Sequence, residues 1–112
     1  MYARIARFEG GDEARIEAEV AEMKAQMDAG RSGQLPPDAP EQAQTLMETV
    51  KRVLMLVDRG SGTSLGITFS ETEEDMRRAD QALNEMSPGE GAGRRTSVES
   101  YEVLLDESFA QT

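Results

Sequence analysis

The chain has no cysteine, no histidine and no tryptophan, and each absence removes a class of function. Without thiols there is no disulfide framework and no cysteine nucleophile. Without imidazole there is neither a general base of near-neutral pKa nor the usual ligand for zinc or haem. No run of about 18 apolar residues is present to span a bilayer, and Met1-Tyr2-Ala3-Arg4-Ile5-Ala6-Arg7-Phe8 is too short and too charged for a signal peptide. A cytoplasmic location is the resulting expectation. Positive charge is also scarce: 12 Lys and Arg stand against 22 Asp and Glu, for a net charge of −10. Nucleic acids and anionic membranes bind through clustered cations that displace counterions, so neither is an expected partner. Aromatic residues are few, which leaves Leu, Ile, Val and seven Met to fill the core. At 112 residues the chain is one domain with a modest interior.

What is present reads as strand, helix, short helix, strand, strand, helix, strand. Residues 2–8 alternate and stop at Gly10-Gly11. Asp12 then caps a helix whose apolar stripe is Ile16, Val20, Met23 and Met27 and which Gly30 is expected to terminate. The segment Arg31 to Pro40, with Pro36, Pro37 and Pro40, is a surface connection. Ala43, Leu46, Met47 and Val50 place a short helix over Glu41–Thr49. Asp58-Arg59-Gly60-Ser61-Gly62 is a hairpin between strands Arg52–Val57 and Thr63–Phe69. Thr72-x-x-Asp75 opens the last helix with a capping box, and its stripe is Met76, Ala79, Leu83 and Met86. Thr96–Leu105 is the final strand, so residues 1–105 make the domain and 106–112 a polar tail. The order is that of an α+β, ferredoxin-like split βαβ fold: a four-stranded antiparallel sheet with its helices on one face.

The second strand is apolar on both sides. Val53, Met55 and Val57 alternate with Leu54 and Leu56, while the third strand sets Leu65, Ile67 and Phe69 against Gly66 and Thr68. The first strand sets Ala3 and Ile5 against Tyr2, Ala6 and Phe8. Helices can cover only one of these sets. Apolar surface left in water forfeits about 25 cal/mol per Å², and a two-fold pairing with an identical chain covers the same patch twice. The chain is therefore expected to be a homodimer through the open sheet face.

Several stretches also carry a family likeness: Met1-Tyr2-Ala3-Arg4 through Phe8-Glu9-Gly10-Gly11, Val53-Leu54-Met55-Leu56-Val57-Asp58-Arg59 with Leu65-Gly66-Ile67-Thr68-Phe69, Thr72-Glu73-Glu74-Asp75-Met76-Arg77, and Thr96-Ser97-Val98-Glu99-Ser100-Tyr101-Glu102-Val103. Together they resemble the dimeric α+β barrel superfamily, in its antibiotic-biosynthesis-monooxygenase-like group. The resemblance implies a dimeric α+β barrel that handles small organic molecules, and it is weak for activity, since the superfamily also includes haem-degrading and stress-response proteins. Its cofactor-independent monooxygenases use Trp, His or Asn beside a polycyclic substrate. This chain has neither Trp nor His, and its one Asn, Asn84, is expected to face solvent on the third helix. No catalytic residue is carried over, and no metal or cofactor is expected.

Arg4 and Arg7 sit inside the first strand, and Glu99 and Glu102 inside the last. Pairing across the ladder or placement at the rim is the first expectation for these charges. The sharper one is a cavity lined by Tyr2, Arg4, Thr68 and Tyr101, suited to a small, partly aromatic anion. The loop Gly89-Glu90-Gly91-Ala92-Gly93-Arg94-Arg95 leads into a strand, unlike a phosphate-binding loop, and reads as a connector whose Arg94 and Arg95 close over a ligand or pair with the acidic surface. The acidic clusters are solvated helix faces, and Met23, Met27, Met76 and Met86 core fillers. The leading functional expectation is a homodimeric small-molecule-binding protein. The alternatives are a cofactor-independent monooxygenase or isomerase acting on an aromatic or polyketide-like substrate, with Arg4 and Tyr101 as its electrostatic and hydrogen-bonding groups, and a structural or regulatory dimer without ligand.

Overall fold

The computed structural model describes residues 1–31, 41–85 and 93–109. Within them the chain runs β1 (Tyr2–Glu9), α1 (Glu13–Arg31), α2 (Glu41–Thr49), β2 (Arg52–Asp58), β3 (Thr63–Ser70), α3 (Glu73–Glu85) and β4 (Arg94–Glu102). The strands form one sheet in the order β2-β3-β1-β4, each neighbouring pair antiparallel. Strands β1 and β2 are thus parallel with β3 between them, and β3 and β4 parallel with β1 between them. Two β-α-β crossovers interlock, an α+β arrangement compatible with a ferredoxin-like fold. The Pro-rich connection from residue 32 to 40, Met86 and the loop glycines Gly89 and Gly91 lie outside the described residues.

Local chemistry sets the boundaries. Asp12 Oδ1 accepts a hydrogen bond from Ala14 N (3.0 Å) and Thr72 Oγ1 one from Asp75 N (3.1 Å), so both anticipated caps satisfy donors that a helix start leaves unpaired. In the β2–β3 hairpin, Asp58 O accepts from Gly62 N (3.0 Å) and Asp58 Oδ1 from Gly60 N (3.1 Å). Gly62 has φ +75, and a Cβ there would fall 2.9 Å from Gly11 O. The hairpin tip rests on the Gly10-Gly11 turn through Gly11 N donating to Gly62 O (3.2 Å), a contact that only glycine permits.

β1, β2 and β3 each run one residue further than the sequence expectation, to Glu9, Asp58 and Ser70, and three boundaries differ by more. Gly30 does not end α1, which continues through Arg31. It marks a close approach, since a Cβ there would lie 2.6 Å from Met47 Cε. β4 begins at Arg94 rather than Thr96, because a bulge lets Arg95 and Arg94 pair with Phe8 and Glu9. It ends at Glu102 rather than Leu105, with a last bond from Val103 N to Met1 O (2.9 Å).

Cross-strand partners share a face, so the register sorts the sheet. Tyr2, Arg4, Ala6 and Phe8 lie with Ser70, Thr68, Gly66 and Ser64 and with Val53, Met55 and Val57 on the side covered by helices. Ala3, Ile5 and Arg7 lie with Phe69, Ile67 and Leu65 and with Leu54 and Leu56 on the other. No described helix covers that second face. The buried apolar residues are small apart from one: Ala3, Ala6, Ile16, Ala79 and Ala82. The methionines do not fill the core as anticipated; Met27, Met47, Met55 and Met76 are half-buried and Met23 is exposed.

Candidate functional site

The structure separates the four anticipated pocket residues. Tyr2, Arg4 and Thr68 share the helix-covered face, but Tyr101 pairs with Ala3 and so stands on the opposite one. The expected cross-ladder ion pair is also replaced. Arg4 faces Thr68 and Ser100 along the sheet, and its guanidinium reaches upward to α3. Its Nε donates to Asp80 Oδ1 (2.6 Å) and its Nη2 to Asn84 Oδ1 (3.1 Å). Asn84 is exposed on α3, as expected, and its Oδ1 is also a shared acceptor, taking a second bond from Arg95 Nη1 (2.8 Å). The bulge explains that contact. Arg7 opposes Ser97 but Phe8 opposes Arg95, so one skipped residue turns Arg95 onto the helix side. Arg94, opposite Glu9, is left exposed. Arg4 is only 4% exposed, and with Asp80 beside it the buried charge is compensated. The cluster clamps β1 to α3 and places the Asp80 carboxylate against the Arg4 guanidinium, so that its charge is already matched.

The uncovered face has its own polar fittings. Tyr101 is half-exposed there, and its hydroxyl donates to Glu99 Oε2 in a short contact. That bond and the nearby carboxylate charge raise the phenol pKa above its ordinary 10.0. Arg52 lies over the Phe69 ring at 5.6 Å from its centroid and 3.8 Å from Asp106, so the segment after β4 crosses toward β2. At the hairpin end of this face is a shallow depression of about 630 Å³ between Arg7, Asp58, Thr63 and Leu65.

A second recess lies on the other side, under α1. It is a cleft of about 200 Å³ whose walls are Ile16 and Val20 of α1 and Met55 and Val57 of β2. Ser64 closes its floor at 1% exposure, and Ser64 Oγ has no hydrogen-bond partner among the described residues. At the mouth, Arg59 Nη2 and Glu17 Oε1 are 2.6 Å apart. The space follows from the sequence of β3, whose helix-facing side is Ser64, Gly66, Thr68 and Ser70, too small a set to fill the room beneath a helix. Sequence reasoning passed over Ser64. The signal was that row of small and polar residues at alternate positions, where a filled interior would carry Val, Ile or Leu.

No group of three or more Asp or Glu among the described residues could hold a metal ion, and no described helix is long and apolar enough to cross a membrane. Comparison with protein-family models, with curated proteins and with solved structures finds no match to this chain.

Proposed function

We propose that this chain is a homodimer, assembled as a dimeric α+β barrel through the uncovered sheet faces, and that it binds a small organic molecule between sheet and helices. One observation carries the dimer: among the described residues the largest side chains buried below 2% are only those of Thr49, Ser64 and Ser70, while Ile5, Leu54, Leu65, Ile67 and Phe69 are half-buried and Leu56 is 48% exposed. A domain normally hides its largest aliphatic and aromatic groups first. Here they stand together on a face that no described helix covers, which is the pattern of an interface waiting for an identical partner.

The helix-covered side supports the binding half of the reading. Its interior is lined by small residues and leaves recessed space, and its Arg4, Asp80, Asn84 and Arg95 are hydrogen-bonded to one another. Such an interior holds a molecule more readily than it transforms one. Light scattering tests the assembly: the expected mass is twice the 12.3 kDa of one chain, falling to a single chain in Ile67→Glu. A wild-type mass of one chain at micromolar concentration removes the dimer. Thermal shifts against a panel of small aromatic and aliphatic compounds test the binding, and a panel without any stabiliser counts against it.

A further inference from the structure

We propose that the cleft between α1 and the β2–β3 hairpin is the binding site itself, and that its ligand is a small uncharged molecule with an apolar body and one hydroxyl or carbonyl group, the polar end meeting Ser64 Oγ. This deepens the small-molecule reading above and rests on it. Three observations converge on the cleft. Its volume, about 200 Å³, exceeds the roughly 150 Å³ of an apolar cavity known to accept benzene, so a ring bearing one or two further heavy atoms fits. Its walls are aliphatic or thioether on both sides, with Ile16 and Val20 facing Met55 and Val57, which suits an apolar body. Its floor offers one buried hydroxyl without a partner among the described residues, and such a group is unfavourable until something bonds to it.

The charge of the ligand follows from the mouth. Glu17 and Arg59 lie 2.6 Å apart and compensate one another, so the entrance has no net charge to attract an ion, and the chain as a whole, at −10, disfavours anions. Water entering the cleft from its open side gains few bonds there, because apart from Ser64 and the Glu17–Arg59 pair at the mouth the lining is apolar. A hydroxyl or carbonyl carried on an apolar body satisfies Ser64 with one bond and the walls by contact. Ser64 Oγ can donate to a carbonyl or accept from an alcohol, so both are admitted.

The experiment is a site-resolved NMR titration of the intact protein with benzyl alcohol and with toluene, which share a ring but differ in the hydroxyl. Benzyl alcohol is expected to shift the amides of Ile16, Val20, Met55, Val57 and Ser64. Ser64→Ala is expected to weaken benzyl alcohol about five- to tenfold and toluene by less than about twofold, the value of one hydrogen bond. The variant should fold at least as well as the parent, because it removes an unpaired buried hydroxyl. Val20→Phe, at a half-buried position, fills the cleft and should abolish binding of both compounds. Equal weakening of both compounds by Ser64→Ala, or none, overturns the role of the hydroxyl. Shifts centred instead on Tyr2, Arg4 and Thr68 overturn this cleft while leaving a small-molecule binder. No shifts at millimolar ligand overturn both.

Discussion

At the scale of residues the unusual feature is a charged side chain inside a small core. Arg4 is 4% exposed and its partner Asp80 38%, so the two halves of the pair have different alternatives. Asp80→Ala leaves a guanidinium buried with only Asn84 beside it, and an expected loss of about 2–3 kcal/mol, less than for a fully buried pair because water reaches the Asp80 position. Arg4→Met keeps the volume and leaves Asp80 free to hydrate, so its loss should be the smaller, and urea denaturation of the two variants reads the order directly. Tyr101 supplies a second prediction. Its phenol is held neutral by a bond to Glu99, so in Tyr2→Phe protein the phenolate absorbance should appear above the ordinary value near 10. Glu99→Gln should bring it back down. The sign for stability follows: a raised pKa means the contact contributes at neutral pH and is lost as pH climbs through the folded-state value. The presence of a charge inside β1 was legible in the sequence, because Arg4 breaks the apolar alternation. Its partner was not, since Asp80 and Asn84 lie 76 and 80 positions away and only the docking of α3 onto β1 brings them near.

At the scale of elements, local signals translated well wherever they were strong. The short helix over Glu41–Thr49 and the hairpin beginning at Asp58 are formed where the pattern placed them, because a Pro-preceded apolar repeat and a Gly-rich break between β-rich runs each leave the backbone few choices. Features that depend on a distant neighbour leave weaker local signals. Gly30 reads as a stop because glycine commonly ends helices, but the helix passes through it and its lack of a side chain makes room for Met47. The bulge in β4 left no trace, since Arg94-Arg95-Thr96 has no glycine to announce it, and with it went the turn of Arg95 toward Asn84. Two substitutions separate these cases. Thr72→Ala removes the acceptor for Asp75 N and should cost about 1 kcal/mol, the usual value of an N-cap. Gly62→Ala meets both a positive φ and the Gly11 carbonyl, so its cost should be about 2 kcal/mol and its effect should extend to Gly11, visible as faster amide exchange there.

At the scale of the whole molecule the question is whether one sheet face suffices for the proposed dimer. Strands about 4.8 Å apart and residues about 3.4 Å apart make a four-stranded, eight-residue face a plane of roughly 400–500 Å², and side-chain relief raises the accessible area somewhat above that. A stable interface takes about 800 Å² from each partner. The shortfall points to the segment after β4, where Leu104, Leu105 and Phe109 are 88%, 78% and 99% exposed and where Asp106 approaches Arg52 beside Phe69. In the proposed dimer these three side chains lie against the partner's sheet and complete the area. Replacing all three with Ser should therefore weaken association about tenfold or more without unfolding the chain, since none of them is packed within it, and sedimentation equilibrium measures the change. Salt gives the opposing sign. Two chains of −10 repel, and the screening length falls from about 30 Å at 0.01 M to about 10 Å at 0.1 M, so the dimer should tighten as ionic strength rises. A contact held by ion pairs would loosen over the same range. Because the melting temperature of an associating protein depends on its concentration, the parent should melt later as it is concentrated, the triple variant should show a weaker dependence and Ile67→Glu none. A melting temperature independent of concentration in the parent would leave the apolar face solvated and the dimer without support.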